Sequence, residues 1–155
     1  MTGKALVVGY GNPLRRDDGV GGEIARAFAK DAVPGVEVLV CHQLTPELAE
    51  RLATVHLVVF IDAQIGSAPG GIRISRAQHG DTTHGSILVH HMTPVALLGL
   101  SMRLYLRAPD AFLVTVAAGS FELGEGLSKP VAAALPAAVA AVWQLIRDHP
   151  PERDA

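Results

Sequence analysis

The sequence predicts an α/β fold: a doubly wound, open, twisted sheet of about five strands, mostly parallel with one antiparallel edge strand, and helices on both faces. Three observations predict it. Short β-rich apolar runs alternate with segments whose apolar residues recur at helical spacing, the pattern of repeated βαβ units. One run, residues 56–61, is apolar and β-branched without polar alternation, as in a strand buried on both faces of a parallel sheet. The connection after it, residues 63–70, is too short for a parallel crossover of about a dozen residues, so the next strand is antiparallel and at an edge.

The elements follow in order. Residues 5–8 form a first strand closed by Gly9, and residues 20–30 a helix with Val20, Ile24, Ala27 and Phe28 on one side. A second strand spans 36–40. Thr45 then caps a helix with Pro46 in its first turn, running to Ala53. After the third strand, residues 71–76 alternate Ile72 and Ile74 with Arg73 and Ser75, as a half-exposed edge strand does. Residues 77–90 are polar and irregular, and their length marks a functional loop. Thr93 and Pro94 repeat the cap-and-proline start for a helix to Arg107. Residues 112–117 are a last buried strand, and a glycine-rich loop leads to a helix over 130–148. Ser128 is read as its cap, and Pro136 as a kink or a delayed start.

The 155 residues suit a single domain spanning 1–155, with 49% hydrophobic and 18% charged residues. With 13 basic against 15 acidic residues and a net charge of −2, no basic surface for nucleic acid or an anionic membrane is expected. The single cysteine, Cys41, excludes an internal disulfide and a multi-cysteine metal site. No secretory signal is read at the start. The apolar run 131–143 falls short of the about 20 residues a bilayer requires and reads as a core-facing helix. A cytoplasmic protein is the expectation.

Chemistry concentrates in three places. The segment Gly9-Tyr10-Gly11-Asn12 through Asp17-Asp18-Gly19-Val20-Gly21 joins the first strand to the first helix. A dinucleotide-binding loop would need a third glycine where Leu14 stands, and its phosphates would meet Asp17 and Asp18. Either aspartate can cap the helix, which leaves the other for the crevice at the carboxyl end of the sheet. Asp62 ends the apolar third-strand run, either as a turn acceptor or as a crevice ligand. His79, His84, His90 and His91 crowd the long loop, and His91 stands two residues before the Thr93 cap. Two carboxylates and an imidazole suit a borderline divalent metal such as nickel, zinc or manganese, with open positions. Cys41 reads as packing, and neither Ser120 nor Ser128 has a nucleophile-elbow context.

The pattern Gly9-x-Gly11-Asn12-x-Leu14-x-x-Asp17-Asp18-Gly19-x-Gly21 resembles the N-terminal signature of the nickel–iron hydrogenase maturation proteases. The resemblance continues through Asp62-Ala63, His90-His91 and Gly124-Glu125-Gly126-Leu127-Ser128, and so spans nearly the whole chain. It departs where that family often has Gln-Pro after the fifth strand and this chain has Ala118-Gly119. The resemblance implies a doubly wound α/β endopeptidase that removes the C-terminal extension of the hydrogenase large-subunit precursor after nickel insertion. It implies metal ligands at Asp18, Asp62 and His91, with His90 as the alternative histidine. The nickel would arrive in the precursor, and Asp17 or Asp18 would serve as general base. A non-catalytic module that checks the precursor's nickel, and a nucleotide-binding enzyme, are the competing readings.

Overall fold

The structure, a computed structural model, describes residues 4–31, 33–66, 68–78 and 92–151. Five strands, β1 (Ala5–Tyr10), β2 (Val36–Cys41), β3 (Leu57–Ile65), β4 (Ile72–Ala77) and β5 (Asp110–Ala118), form one sheet in the order β2-β1-β3-β5-β4. Neighbouring strands are parallel except β4, which runs antiparallel to β5 at the edge. This is the doubly wound sheet with one antiparallel edge strand that the alternation predicts.

The pleat sorts the apolar residues into two cores. Leu57, Val59 and Ile61 face α1 (Val20–Ala29) and α4 (Lys129–Asp148), where Phe28 meets Trp143 with ring centroids 4.4 Å apart. Val58 and Phe60, together with Leu6 and Val8, face α2 (Leu48–Leu52) and α3 (Pro94–Tyr105). The central strands are buried on both sides, so they read as unbroken apolar runs.

Local chemistry sets most element ends. Thr93 caps α3 as its sequence position predicts: its hydroxyl accepts from the Ala96 N–H at 3.1 Å, and Pro94 follows. At α2 the same signal does not start the helix. Thr45 and Pro46 instead form a turn whose carbonyls accept from Leu48 and Ala49, so α2 begins only at Leu48. β3 runs four residues past the apolar stretch because β5 pairs with it along its whole length, to Ile65 opposite Ala118.

α4 is longer than its apolar run suggests. It spans 20 residues with Pro136 inside it, and by length and composition alone it could cross a membrane. It does not present an unbroken apolar surface. Val131, Ala138, Val142 and Leu145 are buried against the sheet and α1, whereas Lys129, Gln144 and Asp148 lie off that buried row.

Candidate functional site

The strand order reverses between β1 and β3. From β1 the chain crosses to β2 on one side, and from β2 it returns to β3 on the other. The switch point therefore lies at the carboxyl ends of β1 and β3, and a crevice opens just outside them. β1 pairs with β3 only as far as Gly9 opposite Ile61, so Asp62 is the first β3 residue beyond that pairing.

Glycine brings the first helix to this edge. A Cβ on Gly9 would strike the Gly21 carbonyl, and one on Gly21 would strike the carbonyls of Ile61 and Tyr10. Only paired glycines let the start of α1 lie directly on the strand ends. The approach sets a short 3-10 turn, Arg16–Gly19, beside the crevice.

That turn carries both aspartates, and neither caps α1, whose first turn has no side-chain cap. Asp18 is half-buried, and its Oδ2 accepts from the Asn12 N–H at 2.7 Å. Its charge acts on both Asp62 and Tyr10, so it lies near the crevice at the end of β3. Asp62 is half-buried as well, with its Oδ1 2.8 Å from the Ala63 N–H and the Tyr10 hydroxyl donating to it. Burial pushes its carboxyl up to about 6, with the nearby Asp18 charge adding to the rise; the two hydrogen bonds oppose it only in part. Burial, and then the Asp62 charge, hold the Tyr10 phenol well above its ordinary value, so it remains a donor. A cavity of about 360 Å³ opens here, lined by Tyr10, Asp62, Met92, Thr93, Leu113 and Thr115 among others.

Asp17 has a different task. It is wholly enclosed, at 0% exposure, and its carboxylate receives four hydrogen bonds. The N–H groups of Gly119, Ser120 and Ser128 donate at 2.7, 2.9 and 2.7 Å, and the Ser128 hydroxyl donates at 2.8 Å. Burial works against its charge, but these bonds, led by those from Ser128, outweigh it and hold the carboxyl below its ordinary value. Asp17 thus ties the β1–α1 loop to the β5–α4 loop, with both of its oxygens engaged inside the protein and closed off from solvent. This argues against the general-base role expected of it. Ser128 stands at the cap position of α4, yet its side chain bonds Asp17 and makes no cap bond.

The remaining candidates divide plainly. Cys41 pairs with Tyr10 in register, and burial pushes its thiol up, which makes it a poor nucleophile. His79, His84, His90 and His91 lie outside the described residues. Met92 and Thr93, the residues directly after His91, line the same cavity as Asp62. Among the described residues no group of three or more His, Cys, Asp or Glu is placed to hold a metal. Tyr10 is the crevice side chain that motif reading passed over. The period of two along β1 was its signal, since Leu6 and Val8 set the face that Tyr10 shares.

No protein-family model matches the sequence, and no curated protein matches it. Solved structures do. The hydrogenase maturating endopeptidase HybD from E. coli superposes with a TM-score of 0.81 at 26% identity, covering 94% of this chain and 93% of that one. The nickel–iron hydrogenase maturation protease HycI from Thermococcus kodakarensis gives 0.75 at 22% identity, covering 93% and 92%. HybD of the same organism gives 0.71 at 24%, covering 92% and 98%. The resemblance read in the sequence holds in three dimensions over most of the chain.

Proposed function

We propose that this chain is a cytoplasmic endopeptidase that removes the C-terminal extension of a nickel–iron hydrogenase large-subunit precursor, and that it reads the nickel already seated there. One observation carries the proposal. Two carboxylates, Asp18 and Asp62, stand near each other at the switch-point crevice, and burial together with the Asp18 charge makes the ionised form of Asp62 costly. Such a pair is stabilised by an arriving cation, which would favour the ionised form of both acids. The likeness to structures of maturation endopeptidases supports the same reading.

In this reading the residues divide the work. The Asn12 N–H fixes the Asp18 carboxylate, and the Tyr10 hydroxyl and Ala63 N–H fix that of Asp62, so both oxygens are aimed before the precursor docks. His91, outside the described residues, is the proposed third ligand; its chain neighbours Met92 and Thr93 line the crevice. Oxygen and imidazole donors without thiolate bind a free divalent ion weakly, so the precursor's own ligands complete the coordination. With Asp17 sequestered, Asp18 is the remaining acid of the motif that can accept the proton of an attacking water.

Metal-stripped protein is to be incubated with nickel-loaded and nickel-free precursor, and both products weighed by mass spectrometry. Shortening of the loaded form alone is expected, and added zinc does not rescue the other. Equal cleavage of the nickel-free form would point to an ordinary peptidase with its own metal. Binding of the loaded form without cleavage would leave a nickel-checking module. Within the same assay, His91→Ala is expected to be far more damaging than His90→Ala, and the reverse order moves the ligand to His90.

A further inference from the structure

The crevice does not stop at Asp62. Asp62 pairs in register with Thr115 on β5, and Thr115 pairs with Arg73 on β4, so the three residues form one row across adjacent strands. By the pleat all three lie on the sheet face that carries α3. A second cavity, about 270 Å³, continues the row toward the edge and is lined by Gln64, Gly71, Arg73, Thr115 and Ala117 among others. It shares Gln64 and Thr115 with the cavity at Asp62, so the two lie side by side as a trough along the carboxyl end of β3 and β5.

The ends of the trough are opposite in charge. Asp62, with Asp18 nearby, makes one end acidic. Arg73 makes the other basic, and it has no ion-pair partner among the described residues, whereas the neighbouring Arg76 reaches Asp110 at 3.7 Å and lies over the Phe112 ring. Between them, the Thr115 hydroxyl and the Gln64 amide offer partners to a main chain. Strands lie about 4.8 Å apart, so two steps from β3 to β4 span roughly 10 Å, the length of about three residues of extended peptide. An unpaired guanidinium at the end of a groove suits a carboxylate, which it can hold by two parallel bonds.

We propose that this trough seats the polypeptide segment of the precursor next to the bond that is cut, and that Arg73 holds a carboxylate of that segment about three residues from the cleavage point. This rests on the endopeptidase reading and names the part of the substrate that the site grips. The carboxylate belongs either to an acidic side chain or to the chain terminus. Arg73 is a specificity-determining residue here, since it lies away from the reacting atoms.

The test is steady-state processing of nickel-loaded precursor by wild type, Arg73→Ala, Arg73→Lys and Arg73→Glu. Arg73 is exposed on an edge strand, and thermal melts check that each variant folds. KM is expected to rise about tenfold or more for Arg73→Ala and further for Arg73→Glu, with kcat within about twofold and Arg73→Lys intermediate. Precursors with single Asp or Glu residues near the cleavage point changed to Lys form a second arm, and one with extra residues appended to its terminus forms a third. Rescue of Arg73→Glu by one Lys identifies an acidic side chain; a raised KM for wild type on the appended precursor identifies the terminus. Wild-type KM for both Arg73→Ala and Arg73→Glu, with wild type active, overturns the trough and leaves the endopeptidase reading standing. An uncut nickel-loaded precursor with wild type itself overturns both.

Discussion

Asp17 and Asp62 are two partly or wholly enclosed carboxyls at the same end of one sheet, and their surroundings push them in opposite directions. Asp17 is sealed at 0% exposure and receives four hydrogen bonds, so its charge is the best acceptor in its neighbourhood and its carboxyl titrates low. Asp62 is open to a cavity, receives two, and feels Asp18, so its carboxyl is raised to about 6. Burial alone therefore does not tell a working acid from a structural one. What tells them apart is whether the enclosure supplies donors. Asp17 is satisfied by the protein; Asp62 is left short, and a ligand with positive charge would make up the difference.

The largest expected effect falls on activity. Asp62→Ala is expected to lower precursor processing by about a thousandfold, roughly 4 kcal/mol in the barrier, while the protein still folds. Processing by mass spectrometry alongside circular dichroism measures both. A folded variant that processes within about threefold of wild type would return Asp62 to a turn acceptor and dissolve the contrast with Asp17.

Asp17→Asn inverts that pattern. An amide can present only one oxygen, and its NH2 would face the N–H donors of Gly119 and Ser120 or of Ser128. Each buried donor left unsatisfied costs about 1–3 kcal/mol, so a total loss of roughly 2–5 kcal/mol is expected. Urea melts measure it. Residual activity per folded molecule should remain substantial, and its disappearance in molecules shown to be folded would bring Asp17 back into the chemistry.

The pH dependence sharpens the comparison with smaller energies. For Asp62 the folded carboxyl, at about 6, lies above its ordinary 3.8. Between those values the folded state holds the extra proton, so its contribution to stability declines as pH rises through the window and is level above it. Asp62→Asn removes the decline and is expected to be more stable than wild type at pH 7 by roughly 2–3 kcal/mol, with the advantage gone below about pH 4. Asp17 has the opposite sign. Its folded carboxyl lies below 3.8, so its contribution is complete above that value and is lost as pH falls through the folded one. Melts of wild type and both Asn variants from pH 3 to 8 resolve the two slopes, and parallel curves would contradict the assignment.

Most of the architecture was legible in the sequence because it rests on local period and length. The unbroken apolar run of β3 and the short connection after it were enough to place a buried parallel strand beside an antiparallel edge. Asp62 was legible for the same reason: an acid directly after such a run must face the carboxyl edge of the sheet. The division of labour in the Asp17-Asp18 pair was not. Both sit in one short turn, and what separates them is contact with residues about a hundred positions away, which no local spacing encodes. Ser128 misled for a related reason. Its place before Lys129 and Pro130 is that of a cap, yet a buried carboxylate is a stronger acceptor for its hydroxyl than a helix end is a donor to it. Arg73 carries no motif, and only the register through Thr115 ties it to Asp62.

The smallest expected effect tests that last competition. Ser128→Ala removes the hydroxyl that donates to Asp17 at 2.8 Å but keeps the Ser128 N–H, so Asp17 retains three of its four bonds. A loss of about 1–2 kcal/mol follows for one bond to a charged acceptor. A lost helix cap would cost about as much, so the single variant does not separate the two roles. The double-mutant cycle with Asp17→Ala does. If the hydroxyl serves the carboxylate, Ser128→Ala costs almost nothing once Asp17 is gone, and the coupling energy is about the size of the single effect. If it served the helix end, the two losses would add. Additivity within about 0.3 kcal/mol would restore Ser128 as a cap and leave Asp17 held by backbone alone.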